Sequence, residues 1–257
     1  MLSNERTNLL RAATDMAITV HLIPHTHTDP GWLDTYDRYY GKDVRPILSN
    51  VLAALEADGN RTFVWAETIF LARYYAELSE RKKAALRMLV AEGRLEIVGG
   101  GWVQHDEALP TVGGMLESMA EGHAWLHSTF GVRPSVGWQL DPFGHSSASA
   151  ALLGRMGFKA LVINRIHYRL KERWRSSKLL EFRWHASSGT LGWHSVLTHV
   201  LHTHYATPRG FDFESSGSSV KPLPEAELQA KAESFASFVT HRAQAYRSHQ
   251  VMVLLGE

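Results

Sequence analysis

The chain has 257 residues, and its 27 Lys and Arg against 26 Asp and Glu give a formal net charge of +1 at pH 7. This balance gives no electrostatic reason to expect nucleic acid as a partner, and we predict none. Cysteine is absent, which excludes disulfides and thiolate-ligated metals. No apolar run approaches the ~20 residues of a membrane helix, so we predict no membrane span. The length suits one α/β barrel or two small domains.

Apolar, β-branched segments alternate with segments of helical periodicity along the chain. This rhythm is typical of parallel strands joined by right-handed helical crossovers, which place active sites at the carboxyl ends of the strands. We therefore predict an α/β fold. The predicted strands are 18–23, 62–65, 95–98, 135–140 and 160–163, and the predicted helices are 35–58, 67–92 (as one or two helices), 111–130 and 145–156.

The pattern is looser beyond Asn164. We expect a strand hairpin from 178–185 and 190–200 that decorates the sheet, a Gly/Ser-rich loop at 208–220, a helix within 222–250 and a final strand in VMVLLGE. No linker or repeat separates domains. The predicted organisation is an N-terminal extension, residues 1–16, followed by one domain, residues 17–257.

Two motifs carry the chemistry, PHTHTDPGW at 24–32 and GWQLDPFGHS at 137–146, and each follows a predicted strand. In an extended segment His27 and Asp29 point to the same side, and Asp141 can reach them from a neighbouring strand. Imidazole and carboxylate groups are zinc ligands, and a catalytic zinc needs three or four of them. The competing interpretation is that each Asp caps the helix that follows it. The sequence favours a metal-dependent hydrolase.

Four segments, PHTHTDPGW, GGGWVQHDE (99–107), GWQLDPFGHS and INRIHY (163–168), resemble successive signatures of class II α-mannosidases, glycoside hydrolase family 38. The resemblance extends from about Ala17 to Glu257. The segments LHTHYATPRGFDF (201–213) and VMVLLGE favour the lysosomal type, which implies a lysosome or related acidic compartment. The family implies a seven-stranded parallel α/β barrel with one catalytic Zn²⁺ per chain.

The resemblance also implies residue roles and a reaction. Asp141 corresponds to the residue that is both catalytic nucleophile and zinc ligand in retaining hydrolysis. The implied substrates are terminal α-D-mannosyl residues of N-glycans or other mannose-containing oligosaccharides and glycoproteins. The remaining carry-over is His27 and Asp29 as zinc ligands, Trp32 and Phe143 as aromatic walls of the sugar subsite, and Arg165 and Tyr205 as polar contacts near the nucleophile.

Two family elements, a fourth zinc ligand and an Asp acid/base, correspond to positions beyond Glu257. We therefore expect an incomplete barrel that is the N-terminal catalytic portion of a longer chain. Glu257 is a poor substitute acid because its own terminal carboxylate lies beside it. Two alternatives stay open. The chain could be a zinc-dependent polysaccharide deacetylase-like hydrolase, with Asp141 as general base, or a non-catalytic carbohydrate-binding remnant.

Overall fold

The computed structural model of the chain describes residues 17–187, 193–212 and 224–256. The predicted extension 1–16, Glu257, and parts of the predicted 190–200 strand, 208–220 loop and 222–250 helix lie outside the described residues. The predicted domain boundaries therefore stay predictions. In the described ranges, no helix is both long and apolar enough to cross a bilayer.

Strands and helices alternate in the order that the sequence predicts. The predicted 67–92 helix is two helices, and the predicted 35–58 helix contains a π-helical turn, Tyr40–Val44. The elements are β1 (Thr19–Pro24), α1 (Tyr36–Tyr39), α2 (Arg45–Ala57), β2 (Phe63–Trp65), α3 (Thr68–Glu77), α4 (Glu80–Ala91), β3 (Leu95–Ile97), α5 (Val112–Phe130), β4 (Val136–Gln139), α6 (Ser147–Arg155), β5 (Ala160–Ile163), α7 (Tyr168–Ser176), β6 (Glu181–Ser187), β7 (Trp193–Val200), α8 (Glu225–Ala243) and β8 (Gln250–Leu255).

Local capping explains several of the helix boundaries. The Thr111 hydroxyl accepts the Gly114 N–H at 3.1 Å and begins α5, which ends at Gly131 in the left-handed region, with φ of 71°. The Ser146 hydroxyl accepts the Ala148 N–H at 3.1 Å and begins α6. The first helix begins at a Thr35 cap. Because threonine and serine cap the helices after β1 and β4, the capping interpretation of Asp29 and Asp141 is wrong.

The sequence prediction missed helix α7. Its sequence, YRLKERWRS, is dominated by charged residues, and its apolar face is short, with Leu170 and Trp174 four residues apart. The residue that it buries is Lys171, whose Nζ donates to Asn164 Oδ1 at 3.1 Å and to the Thr203 carbonyl at 2.7 Å. Burial lowers the pKa of this amine to about 8. A hydrogen-bonded lysine thus takes the position of an apolar anchor.

Parallel pairing, as predicted, dominates the sheets. Strand β1 pairs with β8, β2 with β3, and β4 with β5, all in parallel. The expected hairpin forms between β6 and β7, but β7 does not decorate the sheet: it pairs in parallel with β5, and β6 occupies the edge. That part of the prediction is wrong, because the hydrogen bonding of β7 to β5 is non-local and leaves no pattern in the sequence.

The hydrogen-bonded ladders divide the described strands into three sheets, with strand orders β1-β8, β2-β3 and β4-β5-β7-β6. Single contacts connect them: His25 bridges Val64, and the Gly99 N–H donates to the Val136 carbonyl at 2.8 Å. Side chains from these sheets also share one buried cluster. Its members include Val64, Val98, Trp138, Val162, Leu201 and Leu254, and the partly buried Ile23 packs against them. The α/β architecture is present, and a closed seven-stranded barrel stays a prediction.

Candidate metal and catalytic centre

The predicted site residues follow the carboxyl ends of neighbouring strands, where the α/β fold places active sites. Each lies within a few residues of a strand end, so the strands fix where its backbone lies. His27 and Asp29 follow β1, Asp141 follows β4, Arg165 follows β5 and Tyr205 follows β7; Glu67, which the sequence analysis did not select, follows β2.

The structure brings His27, Asp29 and Asp141 together. One potential ligand atom from each lies within 4.8 Å of the others. His27 Nε2 is 3.3 Å from Asp29 Oδ1 and 3.7 Å from Asp141 Oδ2. Among the described residues, no other group of three His, Asp or Glu side chains has this spacing. The three predicted ligands thus converge, and their role as ligands stays a prediction.

Buried Glu67 lies on the other side of the His27 ring, with Oε1 3.4 Å from Nδ1. Glu67 is 1% exposed. Neither imidazole nitrogen and neither Glu67 oxygen has a hydrogen-bond partner among the described residues. Burial opposes protonation of His27, but the carboxylates of Asp29 and Glu67 outweigh it and raise its pKa to about 10. The site therefore concentrates negative charge around one imidazole, which favours a bound cation.

The two oxygens of Asp141 have different surroundings. Oδ1 accepts hydrogen bonds from Arg165 Nε at 2.9 Å, from Arg165 Nη2, and from the Tyr205 hydroxyl at 2.9 Å. Oδ2 faces His27. Burial acts to raise the pKa of Asp141, but the bonds from Arg165 and Tyr205 hold it below its usual value. The carboxylate is thus ionised and fixed in orientation, as a nucleophile requires.

Tyr205, whose loop aligns only loosely with the family, lies against Asp141. Its backbone carbonyl is 2.9 Å from His25 Nε2, and its ring centroid is 5.2 Å from that of His27. Burial and the contact with Asp141 raise the pKa of the phenol, so that it remains a hydrogen-bond donor. The loop that carries Tyr205 therefore packs against His25 and His27, the residues that follow β1.

The two predicted aromatic walls, Trp32 and Phe143, present exposed rings. Their exposed fractions are 74% and 78%. The Arg165 guanidinium carbon is 5.6 Å from the centroid of the Phe143 ring, which connects that ring to the centre. Exposed aromatic faces of this kind suit the apolar face of a pyranose. Their substrate-binding roles stay predictions.

The segment 99–107, which the sequence identified only by its family resemblance, forms hydrogen bonds with the loop that carries Asp141. Gln104 Oε1 accepts the Asp141 N–H at 3.2 Å, and Gln104 Nε2 donates to the Trp138 carbonyl at 3.0 Å. Glu107 accepts the Ser146 N–H at 2.7 Å and contacts His145 Nδ1 at 2.9 Å. The motif that contains them was the available signal, but the sequence gives no indication of these partners.

Residues 17–257 match the N-terminal domain of the glycosyl hydrolases of family 38, and the chain belongs to this family. The chain is 36% identical to alpha-mannosidase B of Dictyostelium discoideum, covering 94% of this chain and 26% of that protein. It is 34% identical to alpha-mannosidase 2 of Arabidopsis thaliana, covering 93% and 22%. The chain thus spans about a quarter of the length of these relatives.

Solved structures show a shared fold at low sequence identity. An alpha-mannosidase from Enterococcus faecalis V583 superposes with a TM-score of 0.67 and 19% identity, covering 93% of this chain and 25% of that chain. A protein from Mycobacterium smegmatis that is named as a polysaccharide deacetylase superposes with a TM-score of 0.51 and 14% identity, covering 94% of this chain and 78% of that chain. The fold is therefore shared with a different named activity, and it does not select the reaction.

Proposed function

We propose that this chain supplies the nucleophile and three zinc ligands of a retaining α-mannosidase, which hydrolyses terminal α-D-mannosyl residues of N-glycans or oligomannosides. The observation that carries the proposal is that the two carboxylate oxygens of Asp141 have different partners. Oδ1 is held by Arg165 and Tyr205, while Oδ2 faces His27. One carboxylate thus has an orienting side and a metal-facing side. Membership of family 38 and the mannosidase relatives support the reaction type.

His27, Asp29 and Asp141 would hold one Zn²⁺ per chain. The donor set fits, because zinc accepts imidazole nitrogen and carboxylate oxygen. His27 Nε2 is buried and has no hydrogen-bond partner among the described residues, as expected of a ligand atom without its ion. Glu67 adds a buried carboxylate behind the imidazole. When bound, zinc supplies a Lewis-acidic centre that binds and polarises substrate hydroxyl oxygens.

The residues of this chain perform the first half of the reaction. Asp141 attacks the anomeric carbon of the mannose, the bond from that carbon to the leaving oxygen breaks, and a covalent mannosyl-enzyme forms. The leaving oxygen takes a proton from a general acid, which the described residues do not identify. Water then attacks the same carbon, the bond to Asp141 breaks, and a proton of the water passes to the deprotonated general acid, which is thereby regenerated. Arg165 and Tyr205 keep Asp141 ionised and directed at the substrate.

The decisive test is covalent trapping with an activated fluoro-mannosyl fluoride. Fluoride leaves without protonation, so this substrate does not require the general acid. We expect the zinc-loaded chain to gain the mass of one fluoro-mannosyl group on the peptide that contains Asp141. We expect D141N to gain none. D37N is the matched control, because the Asp37 side chain is 79% exposed and outside the centre.

Other outcomes identify the alternatives. Release of acetate from an N-acetylated oligosaccharide without any adduct would support a deacetylase, with Asp141 as a general base. Mannose binding without an adduct would support a carbohydrate-binding remnant. Either result would overturn the mannosidase proposal. The lysosomal or related acidic compartment, which rests on the resemblance alone, stays a prediction.

A further inference from the structure

A groove of about 430 Å³ lies beside the centre, at the carboxyl end of β5. Its volume is within the ~300–1,000 Å³ range of small-molecule sites. The loops after β4 and β5 form one side, and α7 and β6 form the other. The lining residues on which the argument depends are Phe143, His145, Arg165, Trp174, Phe182 and Trp184.

Aromatic rings dominate the side of the groove formed by α7 and β6. The Trp174 and Phe182 centroids are 5.1 Å apart with planes at 69°, and those of Phe182 and Trp184 are 6.1 Å apart at 45°. All three side chains are half-buried and pack against a core cluster, so the wall is held in place from behind. Rigid aromatic faces are suited to the apolar face of a pyranose ring.

His145 supplies a buried polar group to the same groove. Its side chain is 4% exposed, its Nδ1 is 2.9 Å from Glu107 Oε1, and its Nε2 has no hydrogen-bond partner among the described residues. Because a glutamate carboxylate accepts hydrogen bonds, we assign the ring proton to Nδ1 and leave Nε2 as an acceptor. This nitrogen could accept a hydrogen bond from a hydroxyl group of a ligand.

The groove is continuous with the proposed catalytic centre. Arg165 lines the groove, and its Nε donates to Asp141 Oδ1 at 2.9 Å. Phe143 also lines it, with the guanidinium 5.6 Å from its ring centroid. A ligand in the groove therefore lies next to the group that orients the nucleophile.

We propose that the groove binds the sugar on the leaving-group side of the scissile bond, with Trp184 contacting its ring and His145 Nε2 accepting one of its hydroxyl hydrogens. The inference rests on the proposed function. An enzyme that removes a terminal mannose has only one neighbouring sugar to bind, and that sugar is on the leaving-group side. Aromatic walls with one fixed acceptor match that neutral, hydroxyl-rich ligand.

Calorimetric titration of the zinc-loaded chain with methyl α-mannoside and with an α-linked mannobiose tests the proposal. We expect the disaccharide to bind about tenfold more tightly, as one ring contact and one hydrogen bond would give. In W184A and H145N this preference should fall to less than about threefold, with methyl α-mannoside affinity unchanged. R183A is the matched control, because Arg183 is the exposed neighbour of Trp184 and does not line the groove.

Two histidine variants separate binding from folding. Asn at position 145 can still donate to Glu107 but has no atom at the Nε2 position, whereas Gln at that position reaches it with an amide oxygen. We expect H145Q to recover most of the preference that H145N loses, although H145Q gives up the donor to Glu107 and should unfold at the lower temperature, so that better folding cannot account for the recovery. If W184A does not fold, the comparison of H145N with H145Q tests the proposal on its own.

The failures of the two proposals are distinguishable. Binding of methyl α-mannoside without a preference for the disaccharide overturns the groove proposal alone. The same conclusion follows if the preference survives in both W184A and H145N. Absence of binding by either sugar overturns the proposed function and, with it, this subsite.

Discussion

The structure contains two buried histidine–glutamate pairs, one in contact with Asp141 and one in the segment that follows it. In each, a carboxylate lies at Nδ1: Glu67 is 3.4 Å from His27, and Glu107 is 2.9 Å from His145. In each, Nε2 has no hydrogen-bond partner among the described residues. By residue type, burial and pairing, the two are nearly the same.

What faces Nε2 separates them. Around His27 it is the carboxylates of Asp29 and Asp141, at 3.3 and 3.7 Å, and an anionic cluster of this kind favours a cation. His145 instead lines an aromatic groove that has no carboxylate among its lining residues. The same pair is thus suited to a metal in one place and to a hydroxyl group in the other. A histidine's function is therefore decided by the surroundings of its second nitrogen.

The largest expected effect comes from removing the imidazole of His27 and comparing it with the removal of that of His145. We expect H27A to bind zinc at least 100-fold more weakly than the native chain, beyond the 10–100-fold that loss of an outer partner costs. H145A should bind zinc within about threefold of the native chain, because His145 contacts no ligand group. Chelator competition measures both affinities. Equal losses in the two variants would show that His27 is not distinguished as a ligand.

Changing the two glutamates is a smaller test of the same comparison. Glu67 Oε1 lies 3.4 Å from His27 Nδ1, and with a metal bound it would accept a hydrogen bond from Nδ1 and orient Nε2 toward the metal. We expect E67Q to weaken zinc binding by about 10-fold and E67L by up to about 100-fold. E107Q should leave zinc affinity unchanged within about twofold. The graded loss from Gln to Leu separates an orienting hydrogen bond from mere packing, which both substitutions disturb. Unchanged zinc affinity in E67L would contradict the assignment.

The sequence was sufficient for features that depend on local patterns. Alternating strands and helices follow from periodicity, and Thr111 and Gly131 bound α5 by capping rules that act within a few residues. The convergence of Asp29 and Asp141 was also predictable, because each follows a strand and neighbouring strands bring their carboxyl ends together.

Features that depend on distant contacts could not be predicted. Glu67 lies at the start of the predicted 67–92 helix, and nothing local shows that β2 carries it to His27. The partners Glu107 and Ser146 are separated by 39 residues, so the sequence shows a motif but not its contact. The burial of Lys171 in α7 could not be predicted either, because its acceptors at Asn164 and Thr203 come from elsewhere in the fold.

The smallest expected effect is on the free energy of unfolding, and it concerns the hydrogen-bonded Glu107–His145 pair. Burial acts to raise the pKa of Glu107, but His145 and the Ser146 N–H hold it below its ordinary value of 4.5. Since the folded state has the lower pKa, the ionised carboxylate stabilises the fold above pH 4.5, and that contribution is lost as the pH falls through the folded value. We expect E107Q to lower the free energy of unfolding by on the order of 1 kcal/mol at pH 7.

Urea unfolding at several pH values checks the sign. The stability difference between the native chain and E107Q should be largest above about pH 5 and should shrink as the pH falls below 4.5, because Gln does not titrate. A difference that is constant from pH 7 to pH 3 would mean that packing, not the carboxylate, accounts for the loss. It would also remove the reason to treat His145 as fixed with Nε2 free, since an ionised Glu107 is what fixes its ring proton at Nδ1.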